Sequence, residues 1–235
     1  MPTTTTPVPD APRALGFLLA APEKRALRWI AERLPRWVMP DHLTGLGVVA
    51  AVGIAGAYAA SNESSIWLWV ASALLIVHWF GDSLDGTLAR VRKIERPKYG
   101  YYLDHLVDAL ATACIGIGLG LSPHMLLIVG VLVVVGYLVL SINTYLETYA
   151  FGTFALGYGR VGPTEMRLVL IALNTMLALG VTLRWEIPGP GLGLMDLAGL
   201  AILALMGLAL GGRVIRNLRE LARREPAGRV QNAAS

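Results

Sequence analysis

Six long apolar segments constrain the fold of this 235-residue chain more than any other feature of its sequence. They lie at about 43–60, 66–90, 100–120, 124–146, 163–183 and 192–212, and each is close to the ~20 residues that a membrane-spanning helix needs. The composition, 55% hydrophobic and 15% charged with a mean hydropathy of +0.57, is not that of an ordinary soluble domain. The sequence therefore predicts an all-α, polytopic membrane protein with six transmembrane helices.

The net charge of +4 is distributed unevenly along the chain. Lysine and arginine concentrate in 1–40, 90–98, 160–167 and 213–229, whereas the gaps at 61–65, 121–123 and 184–191 hold almost none. Positively charged loops remain on the cytoplasmic side. With an even number of spans, this pattern predicts an integral inner-membrane (cytoplasmic membrane) protein with both termini on the cytoplasmic side. It is a pattern of membrane topology and not of nucleic-acid binding.

The segments outside the spans suggest three further regions around the six-helix membrane domain at 41–225. Residues 1–21, rich in proline and threonine, are predicted to be a disordered tail, and 226–235 a second tail. Residues 22–40 place Leu27, Ile30 and Leu34 on one helical face, with Trp29 and Trp37 among basic side chains. This pattern predicts an amphipathic helix in the membrane interface. A solvated helix before the first span is the alternative.

Four aspartates lie between apolar runs, where acidic residues are costly. Asp82 and Asp85 are three residues apart at the end of the second segment, and Asp104 and Asp108 are four residues apart in the third. Each pair falls on one face of a helix, so two facing helices would bring four carboxylates together. An aspartate inside a membrane costs about 2.5–3.5 kcal/mol on insertion scales, which is tolerable when the side chain reaches water or a compensating partner.

Four clustered carboxylates repel one another and cannot all be charged without compensation. Hard divalent cations take oxygen ligands and would supply that compensation. A pair of such ions is a known device for displacement at phosphorus. The cluster therefore suggests phosphoryl chemistry, and its cytoplasmic placement follows from the charge pattern.

Residues 82–108 contain the pattern D-x2-D-G-x2-A-R-x9-G-x3-D-x3-D. It resembles the signature of the CDP-alcohol phosphotransferase (CDP-alcohol phosphatidyltransferase) family, and every fixed residue of that signature is present: Asp82, Asp85, Gly86, Ala89, Arg90, Gly100, Asp104 and Asp108. One departure is visible, because nine residues separate Arg90 from Gly100 where eight are usual. The extra residue falls in a loop, where insertions are tolerated.

The resemblance implies a role for each residue of the signature and a set of ligands. Two divalent cations, Mg²⁺ or Mn²⁺, would be held by Asp82, Asp85, Asp104 and Asp108, with Asp108 also acting as the catalytic base. The nucleotide of a CDP-alcohol donor would lie against Gly86, Ala89, Arg90 and Gly100, with Asp41 as a further candidate. A lipid or polar alcohol would be the acceptor, and the protein would be a homodimer in the lipid bilayer.

Two local patterns predict how the helices begin and pack. Gly116 and Gly120 form a small-xxx-small pair, which more often packs helices within one bundle than across a dimer interface. The fifth segment opens with Gly162, Pro163 and, three residues after the glycine, Glu165. This order is typical of a helix start, with proline in the first turn and an acid near the positive end of the helix dipole.

The direction of transfer depends on a looser resemblance at 147–165, which is similar to choline and ethanolamine phosphotransferases. Those enzymes also tend to have a histidine after the third aspartate, as His105 is here, and they transfer a phospho-alcohol from a small CDP-alcohol to diacylglycerol. The phosphatidyltransferase branch, to which most bacterial relatives belong, instead uses CDP-diacylglycerol and a polar alcohol. The acceptor candidates are Glu147, Glu165, Arg167, Arg213 and Arg216. We lean towards diacylglycerol as the acceptor, whereas convergence of Arg167 with Arg213 or Arg216 around an anion would indicate a phosphorylated one.

Two hypotheses of other classes compete with an enzyme. A divalent-cation carrier would also have carboxylates inside the membrane, and a membrane adaptor could retain an inactive site. Neither explains why glycine, alanine and arginine occupy fixed positions among the aspartates. An ion path would also favour acids spread over several spans.

Overall fold

The computed structural model of the protein describes residues 19–151, 162–181, 184–185 and 191–225. Most of both predicted tails, and residues 152–161 of the looser resemblance, lie outside this part of the chain. The described elements are seven helices and one short strand pair, and their bounds in chain order are α1 Ala20–Ala31, α2 Pro40–Ala60, α3 Ile66–Arg92, α4 Pro97–Gly120, α5 Leu127–Phe151, α6 Pro163–Ala178, β1 Arg184–Trp185, β2 Leu192–Gly193 and α7 Leu194–Arg224. The two strands pair antiparallel.

The all-helical membrane architecture predicted from the sequence is confirmed. Five of the described helices (α2, α3, α4, α5 and α7) are long and apolar enough to cross a membrane. The fifth predicted span, at 163–183, corresponds to α6, whose 16 residues extend for about 24 Å at 1.5 Å per residue. The helix ends early because Gly180 adopts a left-handed conformation (φ +83°), and the amide of Val181 bonds back to the carbonyl of Met176 at 2.9 Å. This C-terminal motif stops the helix before residue 183, where the apolar segment ends.

Helices α2 and α3 are in backbone contact where Gly47 faces Gly81. A Cβ atom added to Gly81 would lie 2.6 Å from the carbonyl oxygen of Leu43 and 2.7 Å from the amide nitrogen of Gly47. The Cβ position of Gly47 is in turn 3.6 Å from the amide nitrogen of Asp82. Only glycine permits so close a crossing. The crossing therefore brings the N-terminal half of α2 directly against the aspartate-bearing end of α3.

A buried polar network joins α2, α3 and α6 farther from the aspartates. The side chain of Asn174, which is fully buried, accepts a hydrogen bond from the Tyr58 hydroxyl at 3.2 Å and is paired with the Ser72 hydroxyl at 3.2 Å. Apolar residues such as Leu68 and Leu75 surround this network. Buried polar groups are costly unless they are bonded, so the network favours one relative placement of the three helices.

Helix α1 is amphipathic, as predicted, and packs on α3. Leu27 and Ala31 are buried against Leu84 and Leu88, while Trp29 remains exposed. The predicted helical region extended to residue 40, but α1 ends at Ala31 because Pro35 lacks an amide hydrogen and disfavours helical geometry in the residue before it. The position of α1 at a membrane surface stays a prediction.

The first turns of α1 connect α3 to α6. One carboxylate oxygen of Glu23 accepts hydrogen bonds from the indole nitrogen of Trp79 and from the hydroxyl of Thr164, both at 2.7 Å. Beside them, the amide of Leu19 donates to Glu165 at 2.9 Å. Helix α1 is therefore bonded to both helices at once.

The glycine pair of α4 packs inside the chain. A Cβ atom on Gly116 would lie 2.4 Å from the side chain of Val134, and one on Gly120 would lie 2.9 Å from the Cα atom of Leu127. Both neighbours belong to the α5 helix. The prediction that this pair packs helices within one bundle is confirmed.

Candidate active site

The first two signature aspartates project from the last turns of α3 towards α2 and α6. The carboxylate of Asp85 accepts a hydrogen bond from the Thr44 hydroxyl at 2.6 Å and another from the amide of Gly86 at 2.5 Å. The carboxylate of Asp82 is paired with the guanidinium of Arg167 on α6 at 2.5 Å. These side chains of Asp82 and Arg167 are only 18% and 11% exposed, so the ion pair is shielded from water.

The second two aspartates lie on α4, one turn apart. Asp104 is 42% exposed and 3.7 Å from Nδ1 of His105, whose ring nitrogen is also 2.7 Å from the carbonyl of Tyr101. Asp108 is half-buried and lies within electrostatic range of Asp82, Asp85, Asp104 and Arg167. Asp85 is likewise subject to the charges of Asp82 and Asp104. The structure therefore places the four carboxylates in one electrostatic cluster between α3 and α4.

The donor set of this cluster fits a divalent cation, although its present geometry is not that of a closed metal site. Within the described ranges, no group of three acid, histidine or cysteine side chains converges as a ready-made ion site. Part of the reason is that Asp82 and Asp85 are turned towards Arg167 and Thr44. The cluster nevertheless contains four carboxylates, and carboxylate oxygens are the ligands that Mg²⁺ and Mn²⁺ prefer. The guanidinium of Arg167 lies beside Asp82, at a position where a bound cation would also be attracted to that carboxylate.

The residues expected to contact the nucleotide surround an open face at the end of α3. A Cβ atom on Gly86 would lie 3.4 Å from the guanidinium of Arg90, which bonds to the Thr87 hydroxyl at 3.1 Å. No atom lies within 4 Å of the Cβ position of Gly100, and Ala89 is partly exposed. Small residues thus keep this face clear beside an exposed arginine.

Asp41, a candidate nucleotide contact, is paired with Arg96. Both of its carboxylate oxygens accept hydrogen bonds from Nη2 of Arg96, at 2.6 and 2.7 Å. The hydrogen bond to Asp41 raises the pKa of the Arg96 guanidinium above its usual value. Asp41 therefore joins the start of α2 to the connection between α3 and α4.

The five acceptor candidates do not form one group. Glu147 and Arg213 pair with each other at 2.8 Å, both 8% exposed, and Glu147 also bonds to Asn143 and Asn217. Arg216 lines a cavity with them. Glu165 instead caps α6, since it accepts a hydrogen bond from the amide of Gly162 at 2.9 Å. Arg167 and Arg213 are each held by a different acid and do not converge.

Two residues at the cluster were missed by sequence reasoning. Thr44 contacts Asp85 across 41 positions of the chain, and the sequence carries no signal for this contact. His78 lies one turn before Asp82, is 3% exposed, and has no hydrogen-bond partner for either ring nitrogen in the described part of the chain. Its four-residue spacing from Asp82 places it on the aspartate face and could have indicated it.

Comparison with known proteins connects this geometry to a family. The chain is 29% identical to cholinephosphotransferase 1 of Danio rerio over 76% of its own length and 48% of that protein, and 29% identical to the Gallus gallus protein over 67% and 49%. It is also 29% identical to archaetidylinositol phosphate synthase of Pyrococcus horikoshii over 62% of its length and 75% of that protein. The chain spans about half the length of the cholinephosphotransferases it matches.

The family match covers every element that builds the site. Residues 37–210 match the family described as CDP-alcohol phosphatidyltransferase, a range that includes α2, α3, α4, α5 and α6 and the first half of α7. The four aspartates, Thr44 and Arg167 all fall inside it. The chain therefore belongs to the CDP-alcohol phosphatidyltransferase family.

Proposed function

We propose that this protein is a membrane transferase that cleaves the diphosphate of a CDP-alcohol and joins the phospho-alcohol to a second alcohol. The observation that carries the proposal is the cluster in which Asp82, Asp85, Asp104 and Asp108 share one electrostatic environment beside an open glycine-lined face. Family membership supports the same reaction class. A divalent-cation carrier is less well supported, since the described acids of the cluster lie together at one end of two helices.

The reaction can be written with its atoms balanced. The acceptor hydroxyl oxygen forms a bond to the phosphorus distal to cytidine, the bond from that phosphorus to the bridging oxygen breaks, and CMP leaves with the electron pair. The hydroxyl proton passes to a carboxylate, for which Asp108 is the best candidate because it is half-buried and one turn from Asp104.

The four aspartates would hold two divalent cations. When bound, these ions would neutralise the charge that develops on the phosphate oxygens. The chain's own residues set the conditions for this. Thr44 orients Asp85 through its hydrogen bond, and Arg167 holds the Asp82 carboxylate in an ion pair that an incoming cation would have to share or displace. Gly86 and Gly100 leave space for a nucleotide, and Arg90 offers a guanidinium to its diphosphate.

A small CDP-alcohol as donor and a diacylglycerol-like lipid as acceptor remain the favoured pair. A phosphorylated acceptor would require free cationic side chains near the cluster, yet Arg167 is paired with Asp82 and Arg213 with Glu147. The similarity to cholinephosphotransferases supports the same direction. The similarity to the archaeal synthase supports the alternative, in which CDP-diacylglycerol is the donor and a polar alcohol the acceptor.

Three finer features belong to this proposal. The ions are magnesium or manganese. The termini and the cluster face the cytoplasm, because the positively charged segments lie on that side. The protein is a homodimer, as the family resemblance implies. The first follows from the oxygen ligands, and the second from the loop charges.

An assay of CMP release by the purified protein tests the proposal. We expect Asp104→Asn to abolish CMP release while the protein stays folded, because a neutral amide weakens the binding of both ions. Asp196→Asn is the matched control: Asp196 is a buried aspartate that caps α7, with bonds of 2.7 and 2.8 Å to the amides of Leu126 and Gly193. CMP release by Asp104→Asn within a few-fold of wild type would rule out the proposal.

The same assay distinguishes the two directions of transfer. CDP-choline or CDP-ethanolamine with diacylglycerol is compared with CDP-diacylglycerol and a panel of polar alcohols. Release of CMP only with the second set would reverse the favoured direction and leave the reaction class intact.

A further inference from the structure

A cavity of about 500 Å³ lies between the ends of α5 and α7. Its lining residues in the described chain come from these two helices alone, and none of the four signature aspartates is among them. The charged members are Arg213, Arg216, Arg219, Arg223, Glu147 and Glu220. Four positive and two negative charges leave a net charge of +2. We call this the α5–α7 cavity.

Both acids of the α5–α7 cavity are already neutralised. Glu147 pairs with Arg213 at the buried floor, at 2.8 Å. Glu220 pairs with Arg224, which lies outside the lining, at 2.9 Å. The remaining three arginines are exposed, and no acidic side chain of the described chain forms an ion pair with them: Arg216, Arg219 and Arg223. The cavity therefore presents three uncompensated guanidinium groups.

These three arginines follow one face of α7 at intervals of three and four residues. Like charges at this spacing repel and destabilise a helix. An anion bound between them removes the repulsion, and guanidinium groups match the oxygens of phosphate in bidentate geometry. The cavity volume is also in the range of small-ligand sites. The chemistry therefore favours a phosphate-bearing anion.

The position of α7 favours a lipid as the source of that phosphate. Its 31 residues extend for about 46 Å, which is more than the ~30 Å hydrocarbon core, so one end reaches the headgroup layer. Below the arginines, on the same face of α7, Leu205 and Leu208 are 66% and 75% exposed, and Ile215 is 53% exposed. A phospholipid could place its acyl chains along this apolar face and its headgroup in the cavity.

We propose that the α5–α7 cavity binds the phosphate group of an anionic phospholipid through Arg216, Arg219 and Arg223. The proposal does not depend on the proposed function. Of the acceptor candidates that line the cavity, Glu147 and Arg213 are paired with each other, and Arg216 is assigned here to the lipid phosphate.

Binding of labelled phosphatidylglycerol to the full protein in phosphatidylcholine nanodiscs tests the proposal. We expect Arg219→Gln/Arg223→Gln to bind about thirtyfold more weakly, since the loss of about 1 kcal/mol for each direct guanidinium–phosphate contact is about a fivefold effect. Arg219→Lys/Arg223→Lys should recover most of the binding. The matched control is Arg25→Gln/Arg36→Gln, which removes two arginines from the N-terminal region outside the cavity and should leave binding within twofold of wild type.

Competition by millimolar inorganic phosphate distinguishes the two sources of the anion. Phosphatidylglycerol that is retained in the presence of phosphate identifies a lipid site. Displacement by phosphate supports the same guanidinium chemistry but overturns the lipid as ligand in favour of a soluble phosphate compound. Unchanged lipid binding by the Arg219→Gln/Arg223→Gln protein, or an equal loss in the control, overturns the cavity as a site. None of these measurements uses CMP release, so they are independent of the transferase assay.

Discussion

The ion pair between Asp82 and Arg167 leads to a quantitative prediction about metal binding. The two side chains are 2.5 Å apart and less than one-fifth exposed. At an effective dielectric constant of about 20, a pair of unit charges at ~4 Å interacts by about 4 kcal/mol. A divalent cation that binds Asp82 must share this carboxylate with the guanidinium or displace it, and it therefore loses part of that energy.

Replacement of Arg167 by methionine removes the competing charge and keeps most of the side-chain volume. We expect Arg167→Met to bind Mn²⁺ more tightly by about 1–3 kcal/mol, which corresponds to roughly 5- to 150-fold in the dissociation constant. Titration of the purified protein, with free Mn²⁺ measured by electron paramagnetic resonance, gives this constant without any need for turnover.

Arg213→Met/Glu147→Leu is the matched control for this measurement, because it removes a buried arginine together with its acidic partner and so avoids the stability loss of an unpaired buried charge. Arg213 is also a buried arginine in an ion pair, but its partner is Glu147 and not an aspartate of the cluster. This double replacement should change the Mn²⁺ dissociation constant by less than twofold. An Arg167→Met protein that binds Mn²⁺ no more tightly than wild type would show that Arg167 does not compete with a metal ion for Asp82.

Three further predictions follow from the packing. Gly81→Ala should lower the free energy of unfolding by about 1–3 kcal/mol, because the added methyl group would overlap the backbone of α2. Gly45→Ala is the control, since no atom lies within 4 Å of its Cβ position, and it should leave the free energy of unfolding unchanged. Thermal unfolding in detergent measures both. Gly86→Leu should weaken CDP-alcohol binding more than Mn²⁺ binding, measured by parallel titrations, and unchanged CDP-alcohol affinity would contradict the nucleotide placement. Arg213→Met should cost about 3–5 kcal/mol of stability, and the additional change Glu147→Leu should recover most of it, because an unpaired buried charge is the main penalty.

Helical periodicity was sufficient to predict which residues of the signature share a face. Asp82 and Asp85 lie on α3, Asp104 and Asp108 lie on α4, and the four form one electrostatic cluster as expected. The predicted helix start at residue 162 is confirmed too, since Glu165 reaches back to the amide of Gly162. These predictions succeeded because they depend on residues close together in the sequence.

The contacts between distant residues could not be predicted in the same way. Arg167 was a candidate for an acceptor phosphate, but its partner is Asp82, 85 positions earlier. The glycine at position 81 was visible in the sequence, yet the residue it faces depends on the angle at which α2 and α3 cross. A single sequence gives periodicity within a helix and carries little information about which helices become neighbours.

The double hydrogen bond of Glu23 has a mechanical consequence. Its two donors, Trp79 and Thr164, each lie three residues before a member of the Asp82–Arg167 ion pair. Helix α1 therefore couples α3 to α6. A sideways movement of α1 would either break one of these hydrogen bonds or change the distance between α3 and α6 about one turn from the ion pair. A lateral force on α1 is thereby transmitted to the two helices that hold opposite charges at the candidate active site.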